Sequence, residues 1–264
     1  MRAEIASVLL TFPFFPLSTA QTAAPIDLAA SQVLTDPFPF NYPNEDAAPA
    51  ALFPMPQCNG VTLEEATIDQ LQDYMSHGLL TSTDILLCYI ARYTQVNGYV
   101  NGVLQLNPDA LSIAQQLDAE RAAGEVRGPL HGIPFLVKDN IATKDKMDTT
   151  AGSWMLIGSI VPRDAHVVTR LRKAGALLMG HATLSEWADM RSNNYSEGYS
   201  ARGGQARSAY NLTCNPGGSS SGSAVAVSAN QVTFALGKHT VLATRGGEDA
   251  AMTAVLMSSA RNRN

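Results

Sequence analysis

Charge is scarce in this chain, and none of it is gathered into blocks. Only 16% of the 264 residues are charged while 45% are hydrophobic, a balance that excludes a disordered chain and leaves enough apolar material for a sizeable core. The net charge is −5 and lysine and arginine form no run, which excludes a nucleic-acid partner because phosphate binding needs clustered positive charge. Cys58, Cys88 and Cys214 are too few for a disulfide scaffold; they permit at most one bridge, and the sequence fixes no pairing. The five histidines show no metal-ligand spacing. No Gly-Lys-Ser/Thr follows the glycines, so a phosphate loop is excluded as well. Beyond the N-terminus no stretch is long and apolar enough to span a bilayer, and no internal repeat is visible.

What is present starts with Met1-Arg2 and an apolar run from Ile5 to Leu17 that ends in Ser18-Thr19-Ala20. The run is too short for a membrane span, and Pro13 and Pro16 would break a buried helix, so residues 1–20 read as a secretion signal. Secretion gives meaning to Asn194-Tyr195-Ser196 and Asn211-Leu212-Thr213, both N-glycosylation acceptor triplets. Residues 21–61 are rich in Pro and Ala, with Pro37, Pro39, Pro43, Pro54 and Pro56 among them, and predict an extended arm without regular structure.

The spacing then predicts helices. Thr62-Leu63-Glu64-Glu65 fits a capping box before Ile68, Leu71 and Met75, with His77-Gly78 as the stop. Thr81-Ser82-Thr83-Asp84 starts a second helix, with Ile85, Leu86, Ile90 and Tyr93 on one face. Asn107-Pro108-Asp109 starts a third. Ile133-Pro134-Phe135-Leu136-Val137 reads as a buried strand that runs into Lys138-Asp139-Asn140. A lysine at the end of such a strand either emerges into solvent or is buried for a purpose. Asp164 can cap a helix carrying Val167, Val168 and Leu171, and Ala176-Leu177-Leu178-Met179 follows as another strand. Strand, helix, strand at this spacing is a crossover unit, so the expected core is a mainly parallel sheet flanked by helices.

The stretch around which these elements are organised is Asn215-Pro216-Gly217-Gly218-Ser219-Ser220-Ser221-Gly222-Ser223-Ala224, followed by Val225-Ala226-Val227. Glycines admit close backbone approach, serines bring hydroxyls, and the apolar run reads as a buried helix whose N-terminus favours negative charge. Together with Gly128-Pro129-Leu130-His131-Gly132-Ile133-Pro134-Phe135-Leu136-Val137-Lys138-Asp139-Asn140 and Ser200-Ala201-Arg202-Gly203-Gly204-Gln205, in that order and spacing, this block resembles the amidase signature family, and most closely its secreted fungal-type members. The resemblance runs from Thr62 to Gly237. It implies an α/β/α fold with a mixed, mainly parallel sheet, and hydrolysis of carboxylic amides at a C–N bond by a Ser-Ser-Lys triad, with a small-molecule amide as substrate and without metal or cofactor. Lys138 matches the family's catalytic lysine and Ser219 its bridging serine, held in a cis peptide. Gly203, Gly204, Gln205, Gly217, Gly218 and Ser220 match the loops that back the substrate. A lysine desolvated at a strand end has its pKa lowered, which suits a neutral base.

After Ala235-Leu236-Gly237 the likeness stops. Where the family reads Gly-Thr-(Asp/Glu)-Thr-(Asp/Gly)-Gly-Ser, this chain reads Gly237-Lys238-His239-Thr240-Val241-Leu242-Ala243. Ala243 stands at the nucleophile, and Val241 and Leu242 stand where the backbone should approach the oxyanion. Residues 238–264 are expected to be a non-family tail arising from a shifted reading frame, a retained intron or an alternative exon, on a chain cut to about the N-terminal half of the domain. An inactive fragment with at most a ligand- or partner-binding role is the alternative function, and an open sheet edge is expected to drive self-association. Gly218-Ser219-Ser220-Ser221-Gly222 also fits the Gly-x-Ser-x-Gly elbow of an esterase, with Ser220 as nucleophile. No apolar strand leads into it, however, and His239, the only later histidine, precedes Asp249.

Overall fold

Two threonines set the first helices. Thr67 caps α1 (Ile68–Ser76) in a reciprocal capping box with Gln70, and Thr81 caps α2 (Ser82–Val100) in the same way with Asp84. β1 (Val103–Leu106), α3 (Ala110–Ala122), β2 (Pro134–Lys138), α4 (His166–Lys173), β3 (Leu177–Ala182), β4 (Tyr199–Ser200), β5 (Gly204–Gln205), α5 (Ser221–Ser228), β6 (Phe234–His239) and β7 (Thr253–Ser258) follow. These elements come from a computed structural model that describes residues 53–192, 194–239 and 253–258. The predicted signal segment, most of the arm, and Ala243 lie outside the described residues.

The main sheet has the order β1-β3-β2-β6-β7. β2 pairs parallel with β3 and with β6, while β1 and β7 add antiparallel strands at the two sides. All five residues of β2 and all six of β3 are buried, which is why the first parts of both read in the sequence as continuous apolar runs rather than alternations, while Lys138 and His181 are buried polar residues nearer their ends. Phe135 on β2 and Phe234 on β6 are register partners, and their rings stack 5.4 Å apart. Against this centre pack Leu71, Ile85, Leu86, Tyr89, Leu117 and Val168 from the helices. The sheet is thus mixed, with a parallel centre, as the resemblance implied.

Several local expectations are corrected. The first helix is capped by Thr67, not Thr62, because Glu65 sits in left-handed backbone at φ 56 and gives its N–H to Asn230 Oδ1 at 2.8 Å. The third helix is regular from Ala110, and Asn107 ahead of it serves two partners: its Oδ1 accepts from Asp109 N at 3.0 Å, as the cap reading expected, and its Nδ2 donates to Leu178 O at 2.9 Å. Asp164 makes no cap for α4; its carboxylate accepts from Lys144 N and pairs with Arg172 instead. The tail beyond β6 adds a strand of its own, since β7 pairs with β6 along six residues from Phe234↔Ser258 to His239↔Thr253 and becomes the outermost strand on that side. An unpaired row of N–H and C=O groups is a template for any available strand, and residues 253–258 take it.

One bridge forms, Cys58–Cys88, and Cys214 is free and exposed. It ties residues before α1 to α2, where the Phe53 and Pro54 carbonyls also accept from Arg92 and Gln95. The bond closes a loop with a sequence separation of 30, so in the chain-entropy account its removal costs about 3–4 kcal/mol. Denaturant unfolding of a Cys58→Ser, Cys88→Ser double variant beside the parent, each at matched pH, is expected to show a loss of that size.

Candidate active site

Lys138 ends the central strand, level with Ala182 of β3, at the carboxyl ends of the parallel strands where open α/β sheets place their sites. It does not emerge into solvent: its relative exposure is 0%. Its Nζ lies 2.6 Å from Ser219 Oγ and 3.1 Å from Ser220 Oγ. Burial pushes its pKa from 10.5 down to about 8, with the Asp189 carboxylate opposing and the Lys238 ammonium adding to the fall. An amine in that range can take a proton near neutral pH.

The two serines have different duties. Ser220 Oγ accepts from Lys238 N at 3.0 Å and donates to Lys238 O at 3.2 Å, so its proton is committed to the backbone of β6. Ser219 Oγ has only Lys138 among its described partners and can exchange a proton with it. This removes the reading of Ser220 as an esterase nucleophile. The Gly218–Ser219 peptide bond is cis, and Ser219 O accepts from Ser185 N at 3.2 Å. Gly222, in the first turn of α5, lets that helix rest on the end of β3: a Cβ there would lie 2.3 Å from Thr183 O and 2.6 Å from Gly102 O. Only glycine permits an approach this close, and Ser223 Oγ fastens the same turn to Leu236 O at 2.9 Å.

Of the loop residues expected here, Ser219 and Ser220 meet Lys138, Gly218 lies against Ser185 and Asp189, and Gly217 precedes them at φ 72. Gly203, Gly204 and Gln205 stand beside the end of β3 on the β4–β5 hairpin, where a Cβ on Gly203 would lie 2.8 Å from Thr183 Cγ2. The Gln205 side chain donates to Glu197 O and Ala206 O, and no described hydrogen bond joins these three residues to Lys138. The sequence reading missed the carboxylates that complete the surroundings. Asp139, fully buried, holds Thr150 Oγ1 at 2.5 Å, Gly152 N at 3.0 Å and His181 Nδ1 at 2.7 Å. It follows Lys138 directly in sequence, and an acid after a buried lysine was a signal available to be read. Asp189 lies against Gly218 with no comparable mark in the sequence. Among the described residues no group of three or more His, Cys, Asp or Glu side chains could hold a metal ion.

The family model described as Amidase matches residues 84–240. The chain belongs to the amidase family. A Schizosaccharomyces pombe protein named as an amidase is 63% identical to this amidase-family chain over 238 residues, 90% of the chain and 40% of the relative. That match is longer than 62–237, so the likeness reaches beyond the stretch on which the sequence reading rested. An Arabidopsis thaliana protein named as an amidase is 46% identical over 68% of the chain and 35% of its own length. The peptide amidase of Stenotrophomonas maltophilia shares the fold with a TM-score of 0.64 and 47% identity, covering 66% of this chain and 36% of that one. The chain therefore spans about two fifths of the curated relative from yeast.

The lowered lysine has a consequence for stability. Between pH 8 and 10.5 the unfolded lysine holds more protons than the folded one, so stability rises with pH across that window, and the burial penalty is fully felt below it. Relative to Lys138→Met, the parent is expected to gain about 3 kcal/mol between the two ends of the window. Urea unfolding of both proteins across that range checks it, and the comparison cancels every other titrating group.

Proposed function

We propose that Lys138 and Ser219 are the base and the bridging hydroxyl of an amidase site that hydrolyses carboxylic amides to an acid and an amine or ammonia. The observation that carries this reading is the 2.6 Å contact between Lys138 Nζ and Ser219 Oγ at the buried end of the central strand. In such a site a serine nucleophile attacks the amide carbon while its proton passes to Ser219 Oγ and the Ser219 proton passes to the neutral Lys138. The C–N bond then breaks, and the same relay, run in reverse, returns the proton to the leaving nitrogen. Water hydrolyses the acyl ester by a second pass. Gly217, Gly218, Gly203, Gly204 and Gln205 would line the substrate on the side of the loops, with Ser220 holding β6 in place.

By register the nucleophile of this scheme falls on Ala243, and the neighbouring Val241 and Leu242 replace the glycine-bearing oxyanion segment. We therefore propose that this chain by itself turns over no amide, and that a ligand- or partner-binding role is the second reading, favoured by that alanine. Loss of a serine nucleophile costs on the order of 10⁶ in turnover in serine proteases, where the residual rate depends on an intact oxyanion hole. Secretion is part of the proposal: the Cys58–Cys88 bond suits an oxidising compartment, and both acceptor asparagines, Asn194 and Asn211, are exposed.

The test is release of ammonia or amine from simple aliphatic and aryl amides by this chain, beside a version continued in the family's frame with Ala243→Ser. Release is expected from the second alone. Equal release from both, abolished by Lys138→Ala, would mean that the nucleophile lies elsewhere.

A further inference from the structure

The turn after β3 contains three successive residues in left-handed backbone, Trp187 at φ 55, Ala188 at φ 56 and Asp189 at φ 70. None is a glycine, and side-chain-bearing residues rarely adopt this conformation even singly. It persists where surrounding contacts over-determine it, and it concentrates at functional sites. Here the contacts are plain. Trp187 N donates to Ala151 O at 3.0 Å, Ala188 N to Ser185 O at 2.9 Å, and Ser185 N to Ser219 O at 3.2 Å. The Glu186 carboxylate, nearly buried, accepts from Ala201 N and pairs with Arg191. The whole turn is thus anchored to the peptide that carries the bridging serine.

The outcome of this anchoring is the position of one carboxylate. A Cβ built on Gly218 would lie 3.1 and 3.3 Å from the two Asp189 oxygens, so the acid lies against the residue preceding Ser219. Tyr195 Oη donates to Asp189 Oδ1 at 2.5 Å. Burial, and after it the Asp189 contact, push the Tyr195 phenol up to about 12, so it stays a donor throughout the neutral range.

We propose that Asp189 is a positioning residue of the Lys138–Ser219 relay, a fixed negative charge that offsets the ammonium formed on Lys138 when a proton arrives through Ser219. The proposal rests on the amidase reading of the site. The charged groups around the lysine leave this role to one residue. Lys238, from β6, has the wrong sign. Asp139, just past the end of β2, is held by Thr150, Gly152 and His181 and has the Arg202 guanidinium 3.8 Å from its Oδ1. Ser219 and Ser220 are neutral hydroxyls. Asp189 remains, and its charge acts on Lys138 against burial and against Lys238. Gly218 permits this arrangement, since any side chain there would push the acid away.

The test needs no turnover. In protein carrying ¹³C-labelled lysine, the Lys138 Cε resonance, assigned by its absence from Lys138→Met, is followed against pH. Asp189→Asn, which keeps the shape and can still accept from Tyr195, is expected to lower the Lys138 midpoint by about one unit. Asp189→Glu, which restores the charge, is expected to keep the midpoint near that of the parent. An unchanged midpoint in Asp189→Asn overturns the proposal, as does an equal fall in both variants, which would make the effect one of shape. Should Asp189→Asn fail to fold, Asp189→Ser is read in its place by the same criteria. A parent midpoint at the ordinary lysine value would overturn Lys138 as a base and leave the comparison among the Asp189 variants to be read separately.

Discussion

A fully buried ammonium is the constraint to which the surroundings of the central strand answer. Among the described residues Lys138 has two hydroxyl partners and no paired carboxylate, and an isolated charge in such a place is among the most expensive things a protein can bury. The chain meets this cost by weakening the charge rather than neutralising it with a contact ion pair. A carboxylate in direct contact would hold the lysine protonated and useless as a base; one set back behind Gly218 moderates the cost and leaves the proton exchangeable. The close packing around it follows. Gly222 lets α5 reach Thr183, Ser220 is fastened to β6, and Asp139 gathers the loop that follows β2.

The features legible in the sequence were those whose causes are local or strongly periodic. The apolar runs of β2 and β3 and the helix start at Thr81 follow from neighbours within a few residues, and they stand where the pattern put them. The meeting of Lys138 with Ser219 was legible only through the ordered motifs, since no periodicity joins residues so far apart. Where short polar side chains were read as caps, the reading failed at Thr62 and Asp164. In each case a distant partner set the outcome: Asn230 took the Glu65 amide, and Lys144 and Arg172 took the Asp164 carboxylate. Sequence spacing lists what such groups can bond but not what will be nearest once the sheet has formed.

Asp189 illustrates the same limit at the site itself. A left-handed turn is ordinarily announced by glycine or asparagine, and Trp187-Ala188-Asp189 contains neither. Its conformation comes from Ala151, Ser185 and Ser219, which lie on three separate parts of the chain. The pairing of β7 with β6 was hidden for a related reason. Register between strands depends on which edge is free, and that is a property of the assembled sheet.

The Cys58–Cys88 bond has a mechanical consequence as well. Tension applied to the chain ahead of Cys58 passes through the sulfurs into α2 and leaves α1 and the intervening turns unloaded. The 30-residue separation enclosed by the bond is stored contour, about 100 Å of slack at full extension, which a pulling force cannot draw out while the bond is oxidised. Reduction would release that length in one step, and only then would the load reach α1 and the turn that leads into α2.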